Sequence, residues 1–180
     1  ENLQTGGGGV APATAAPMGS PAGDEAVLSA WLQTWAGPGS LALPESVESD
    51  PDWRRGELLL GLGLRSQALA NWTRVQQRHV KEPWTLAALA RAFTAAGAYR
   101  QAIASAETVA GLSGRPMAAA PATLQRLAYP FPYEPLIRGE ADRRGLDPRL
   151  LAAIIRQESH FETGAASSAG AQGLMQVMPG

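Results

Sequence analysis

Cysteine is absent from the 180 residues, which excludes disulfides, thiolate zinc sites and a cysteine nucleophile. Lysine is nearly absent: Lys81 is the only one, and arginine supplies the rest of the 15 basic residues against 16 acidic ones. The formal net charge of −1 leaves no basic field to attract nucleic acid or an acidic membrane surface. Histidine is limited to His79 and His160. They stand far apart without a ligand cluster beside either, so no metal site is expected, and His79 reads as a surface or helix-end residue. No apolar run approaches the roughly 18 residues of a membrane span. The start, Glu1-Asn2-Leu3-Gln4, has neither the basic region nor the apolar core of a secretory leader. With no initial methionine and an abrupt stop at Pro179-Gly180, the chain reads as a piece of a longer protein.

What remains, 45% hydrophobic and 17% charged residues with 6% aromatics, is the balance of an ordinary folded protein. Residues 5–22 are mostly Gly, Ala and Pro without charge or periodicity. Such a stretch cannot bury enough apolar surface to offset its ordering entropy, so residues 1–22 are expected to be a flexible linker.

From Asp24 the pattern is helical. Val27, Leu28, Trp31, Leu32 and Trp35 recur at three- and four-residue spacings until Gly37-Pro38-Gly39 ends the run. Further helices are expected over about Trp53–Leu62, Ser66–His79, Pro83–Ala96 and Tyr99–Leu112, the last stopping before Gly114-Arg115-Pro116. An internal repeat lies within them. The octet starting at Gly63 (Gly-Leu-Arg-Ser-Gln-Ala-Leu-Ala) aligns with the octet starting at Gly97 (Gly-Ala-Tyr-Arg-Gln-Ala-Ile-Ala), an offset of 97 − 63 = 34 residues. That is the period of tetratricopeptide-type helix pairs. The glycine permits the tight turn within a pair, and the small Ala68 and Ala102 permit close packing of one helix on the next. Residues 23–118 are therefore expected to be a stack of antiparallel helices with a scaffold or interaction role. Gly61-Leu62-Gly63 follows a helix and not a strand, so it is no phosphate loop, and the sequon Asn71-Trp72-Thr73 falls inside a helix.

Beyond a connector at residues 119–133, Leu127-Ala-Tyr-Pro-Phe-Pro-Tyr133 is expected to be an extended crossover, since Pro130 and Pro132 disfavour helix in the residues before them. A helix over about Glu134–Arg144 stops at Gly145, and Asp147-Pro148 supplies an N-cap and a first-turn proline for the next. On that last helix, at ~100° per residue, Leu151, Ile154 and Ile155 form an apolar stripe with Glu158 in its middle, while Arg156 points away. A carboxyl desolvated on such a stripe, close to the negative end of a helix, is favoured in its protonated form, the form a general acid requires.

The residues around Glu158 carry a specific resemblance. Gln157-Glu-Ser-His-Phe161 is followed, from Ser167 to Pro179, by Ser-x-x-Gly-Ala-x-Gly-Leu-Met-Gln-x-Met-Pro. This resembles the signature of soluble lytic transglycosylases, and Ala128-Tyr-Pro-Phe-Pro-Tyr133 and Gly145-Leu-Asp-Pro148 resemble the family's entry into its catalytic domain. The tight match covers about residues 127–180, and the helix pairs are similar, more loosely, to the family's α-superhelical part. The resemblance implies an all-α fold: a tetratricopeptide-like α-superhelix followed, over residues 134–180, by the first part of a lysozyme-like domain.

The resemblance also implies roles. Glu158 stands at the family's single catalytic acid/base position, and Ser167 at a serine beside the acid. Gln176 matches a cleft-lining amide able to hydrogen-bond an N-acetyl sugar, and Met178 an apolar cleft wall. Gly170, Gly173 and Leu174 read as turn and packing positions. Glu162 would share the face of Glu158 only if the helix continued, and Thr163-Gly164 is expected to end it. The implied reaction needs neither metal nor cofactor. Its substrate is the peptidoglycan glycan strand, cleaved between N-acetylmuramic acid and N-acetylglucosamine to leave a 1,6-anhydro ring. The implied setting is the bacterial periplasm or cell exterior, with the scaffold offering a surface to envelope proteins. The residues of the opposite cleft wall are not in the chain, so the 180-residue piece alone is expected to be inactive. Two alternatives stand beside this reading: a muramidase of similar fold that delivers water, and a non-catalytic scaffold that binds the cell wall.

Overall fold

The computed structural model describes residues 21–179. The expected linker lies outside them except for Pro21 and Ala22, which open the first helix. The described residues form α1 (Pro21–Ala36), α2 (Glu45–Glu48), α3 (Pro51–Gly61), α4 (Arg65–Arg78), α5 (Pro83–Ala95), α6 (Tyr99–Leu112), a 3-10 turn (Met117–Ala119), α7 (Ala122–Ala128), α8 (Glu134–Arg144) and α9 (Pro148–Ser159). No strand occurs among them; the segment after α9 holds only isolated bridges, Ala166 to Gln172 and Gln172 to Val177. The fold is all-α, as the periodicity indicated.

The helix starts follow from local chemistry. Asp50 caps α3, its Oδ1 accepting from the Asp52 amide at 2.8 Å, and Pro51 takes the first turn. Pro83 does the same for α5. The two helix pairs of the repeat, α3–α4 and α5–α6, close alike. Gly63 (φ 76°) and Gly97 (φ 71°) are left-handed. The amide after each reaches back five residues, Leu64 to the Leu59 carbonyl and Ala98 to the Phe93 carbonyl, both at 2.8 Å. This is a Schellman closure, which a glycine enters without Cβ strain. The second helices start at Arg65 and Tyr99, again 99 − 65 = 34 residues apart. Ala68 and Ala102 are fully buried.

The pairs bury two apolar clusters. One sets Trp53, Leu69, Trp72 and Val75 against Leu89 and Phe93, with the Trp53 and Trp72 rings stacked at 5.4 Å. The other joins Leu28 and Leu32 of α1 to Leu86, Val109, Leu124 and Leu127. Leu124 and Leu127 belong to α7, so the segment expected to be a connector contains a helix, and its extended stretch begins only after Ala128. Seven residues behind Pro121 are too few for a periodic signal; α7 forms because burying those leucines against α1 stabilises it. A third cluster lies where the pairs meet the C-terminal segment. Tyr99 and Ile103 of α6 pack on Ile137, Ile155 and Phe161, with Leu151 and Leu174 alongside.

Candidate active site

Helix α9 begins as its sequence dictates, with Asp147 Oδ1 accepting from the Arg149 amide at 2.8 Å and Pro148 in the first turn. Its inward line is Leu151, Ile155 and Ser159, spaced by four, and the Ser159 hydroxyl donates to the Ile155 carbonyl at 3.1 Å. Glu158 sits one residue, ~100°, before Ser159. It therefore falls on the flank with Ile154 and Leu150, which are 36% and 52% exposed. The expectation of a carboxyl buried within an apolar stripe is thus corrected: Glu158 is exposed, beside apolar side chains that are themselves partly open. Periodicity alone could not tell that Ile155 faces inward and Ile154 outward. Among the described residues the Glu158 side chain has no hydrogen-bond or ion-pair partner.

Arg156 points away from Glu158, as expected. It binds the Glu107 carboxylate, donates to the Ala128 carbonyl at 3.0 Å and lies over the Tyr129 ring at 4.6 Å. On this far side of α9 a groove of about 550 Å³ is lined by Tyr129, Phe131, Arg149, Ala153, Gln157 and Phe161 among others, and Glu158 does not line it.

The helix ends at Ser159, earlier than Thr163-Gly164. His160 and Phe161 are both left-handed, with φ of 53° and 62°, a conformation that costs non-glycine residues roughly 1–2 kcal/mol each. Burial of Phe161, 1% exposed, offsets this by roughly 2–3 kcal/mol. Arg100 of α6 donates to the Ser159 carbonyl at 3.0 Å and so satisfies an orphan acceptor at the helix end. Burial first, then the charges of Arg100 and Arg156, hold the His160 imidazole below its ordinary pKa. The turn carries Glu162 away from the face of Glu158 and onto the scaffold. Its Oε1 accepts from Arg65 Nε at 2.9 Å and its Oε2 from Arg65 Nη2 at 3.3 Å.

The segment that follows is a compact double turn. Gly170 (φ 91°) and Gly173 (φ 75°) are left-handed, and Leu174 is partly buried on the third cluster, which matches their reading as turn and packing positions. Ser167 is exposed, and its hydroxyl accepts from the Ala171 amide at 3.0 Å. Gln176 turns its amide nitrogen inward to donate to the carbonyls of Ala165 (3.1 Å) and Gly173 (2.8 Å). Met178 is 57% exposed. Ser167 and Gln176 thus share one hydrogen-bonded loop, and neither is hydrogen-bonded to Glu158 in the described residues. Sequence reasoning missed Arg65, Tyr99 and Arg100, which reach this segment from the helix pairs. The one signal was that Arg65 and Tyr99 occupy equivalent positions of the repeat yet differ in type.

Residues 135–180 match the family described as the transglycosylase SLT domain. The C-terminal segment belongs to the SLT transglycosylase family. Relatives of this segment include a membrane-bound lytic murein transglycosylase F of Desulfosudis oleivorans, 48% identical over 54 residues. They also include a membrane-bound lytic murein transglycosylase C of Haemophilus influenzae, 51% identical over 47 residues. These alignments cover 29% and 26% of this chain but 12% and 13% of the relatives; the chain spans only about an eighth of their length. The fold extends the likeness beyond the SLT segment. A solved structure of an inactive mutant of lytic transglycosylase Slt from Pseudomonas aeruginosa aligns over 88% of this chain and 26% of its own, with a TM-score of 0.62 at 22% identity. The helix pairs and the SLT segment together therefore share the fold of part of that protein.

Proposed function

We propose that this chain carries the acid-bearing part of a peptidoglycan lytic transglycosylase, with Glu158 as its general acid and base. The observation that carries the reading is an exposed, unpartnered carboxyl at the end of α9, within the segment that matches the SLT domain. A carboxyl engaged in an internal ion pair, as Glu162 is, would be unavailable to a glycan. The names of the murein transglycosylase relatives support the substrate class. The solved Pseudomonas protein supports the dependence on one carboxyl, since its inactive mutant replaces a glutamate with glutamine.

In this mechanism Glu158 protonates the glycosidic oxygen between N-acetylmuramic acid and N-acetylglucosamine as the bond breaks. The acetamido oxygen of the muramic residue stabilises the cation at C1. The ionised Glu158 then takes the proton of the C6 hydroxyl, whose oxygen closes the 1,6-anhydro ring. One carboxyl serves both steps, unlike the paired carboxylates of ordinary glycosidases, and neither metal nor cofactor enters. Ser167 keeps its hydroxyl proton free to donate to the acid. Both amide protons of Gln176 are committed to backbone carbonyls, so its role is to accept an acetamido N–H through Oε1. Met178 and Ile154 offer apolar surface to the sugar rings. The substrate sets the location in the periplasm or at the cell exterior, where the helix pairs also meet envelope proteins.

The test is mass spectrometry of peptidoglycan digested by the full-length protein, its Glu158→Gln variant and the 180-residue piece. Anhydromuropeptides released by the full-length protein and lost in the variant are the expected result. Products with ordinary reducing ends would identify a hydrolase instead, and no cleavage by the folded full-length protein would leave a scaffold.

A further inference from the structure

The carboxyl of Glu158 has no partner of its own, so its direction is set by the backbone that follows it. That backbone, Ser159 to Glu162, is gripped by the helix pairs at three points. Arg100 holds the Ser159 carbonyl at 3.0 Å. The Tyr99 ring meets the Phe161 ring edge-on at 6.2 Å. Arg65 holds both oxygens of Glu162, at 2.9 and 3.3 Å, and its Nη2 also donates to the Gly97 carbonyl at 2.7 Å. One guanidinium therefore joins the first residue of α4, the turn between α5 and α6, and the turn behind Glu158. Two consecutive left-handed residues inside that turn persist only where their surroundings over-determine them.

We propose that Arg65 is a positioning residue for Glu158: its fork onto Glu162 and Gly97 fixes the post-helical turn and couples the acid's placement to the stacking of the two helix pairs. The proposal rests on Glu158 being the acid. Because Arg65 and Tyr99 stand at equivalent repeat positions, both pairs present the start of their second helix to the same four-residue turn. A change in the stacking of the pairs would part Arg65 from Gly97 and be felt at Ser159–Glu162 directly.

The experiment compares the wild-type full-length protein with Arg65→Gln, Glu162→Gln, the charge swap Arg65→Glu/Glu162→Arg and, as a control, Arg143→Gln, whose partner Glu140 lies on the exposed side of α8. Arg65→Gln and Glu162→Gln are expected to lower kcat about 10- to 100-fold through misplacement of the acid, with KM changed less than about twofold. The swap is expected to exceed either single variant in kcat, and Arg143→Gln to match wild type. In the 180-residue chain, amide hydrogen exchange at His160 and Glu162, bonded to the Arg156 and Ser159 carbonyls at 3.0 and 3.2 Å, is expected to speed up in Arg65→Gln while α5 amides keep their rates. Wild-type kcat in Arg65→Gln, or a loss that the swap does not rescue and that follows a drop in melting temperature, overturns the proposal. An inactive wild type would instead remove the acid reading. Arg65's hold on the turn would then be judged by exchange, and unchanged rates at His160 and Glu162 would overturn it.

Discussion

Replacing Gly56 with alanine sets two effects of opposite sign against each other. Gly56 lies within α3, where alanine is favoured over glycine by about 1 kcal/mol, so propensity alone predicts a more stable protein. The fold says otherwise. A Cβ on Gly56 would stand 2.3 Å from Nε1 and 2.5 Å from Cδ1 of Trp72. Trp72 cannot simply swing aside. It is 2% exposed, stacks on Trp53 at 5.4 Å, lies 5.6 Å from Phe93, and donates from Nε1 to the Trp53 carbonyl at 3.2 Å. Forcing it to shift costs about 1–3 kcal/mol in packing. Breaking the indole hydrogen bond in a buried setting costs a further 1–3 kcal/mol or so. After the propensity gain the net is a destabilisation of roughly 1–5 kcal/mol, at about 2–4 °C of melting temperature per kcal/mol for a chain of this size. Gly111 provides the contrast: it is exposed in the last turn of α6, and a Cβ there meets nothing within 4 Å, so Gly111→Ala should gain about 0.5 kcal/mol. Thermal and urea melts of both variants decide the matter. A Gly56→Ala protein as stable as wild type would mean that the close approach of α3 to Trp72 does not constrain the fold.

Two titrations give further predictions. Asp52 is held down to about 2 by its hydrogen bond from Arg74, with Arg78 adding to it. The stability it contributes is therefore complete above its unfolded pKa of about 3.9 and lost as pH falls through its folded value. Urea midpoints measured between about pH 4 and 2 should fall less steeply in Asp52→Asn than in wild type, and equal slopes would refute the assignment. His160 should titrate by NMR below its ordinary value. Its contribution to stability is present above about 6.5 and is lost as pH falls through the folded value. Removing one of the two arginines that oppose its charge, in Arg100→Gln, should move the titration upward, and an unmoved curve would show that Arg100 exerts no field there.

The helix pairs were legible because their signals are local: glycine at each turn, proline at each start, apolar residues at helical spacing. Gly63 and Gly97 exposed the repeat before any contact was known. The two short helices escaped for the converse reason, since four residues in α2 and seven in α7 hold too few turns for a period, and tertiary burial decides them. At the site, the motif located Glu158, Ser167 and Gln176, yet the exposure of Glu158 was misjudged because a stripe two residues wide does not say which edge faces inward. Arg65 and Arg100 lay beyond reach altogether. They contact residues 97 and 59 positions away, a pairing that no window of sequence contains.

All five tryptophans precede residue 85, and each packs into one of the two clusters of the helix pairs. Residues 113–180 contain none, and their aromatic rings are those of Tyr and Phe alone. Intrinsic indole fluorescence is therefore a reporter of the scaffold and is blind to the turn behind Glu158. Followed beside the amide exchange of residues 159–162, it separates detachment of the SLT segment from unfolding of the pairs that carry it. A destabilised Arg65 variant would leave the emission spectrum unchanged while the acid's mount came loose.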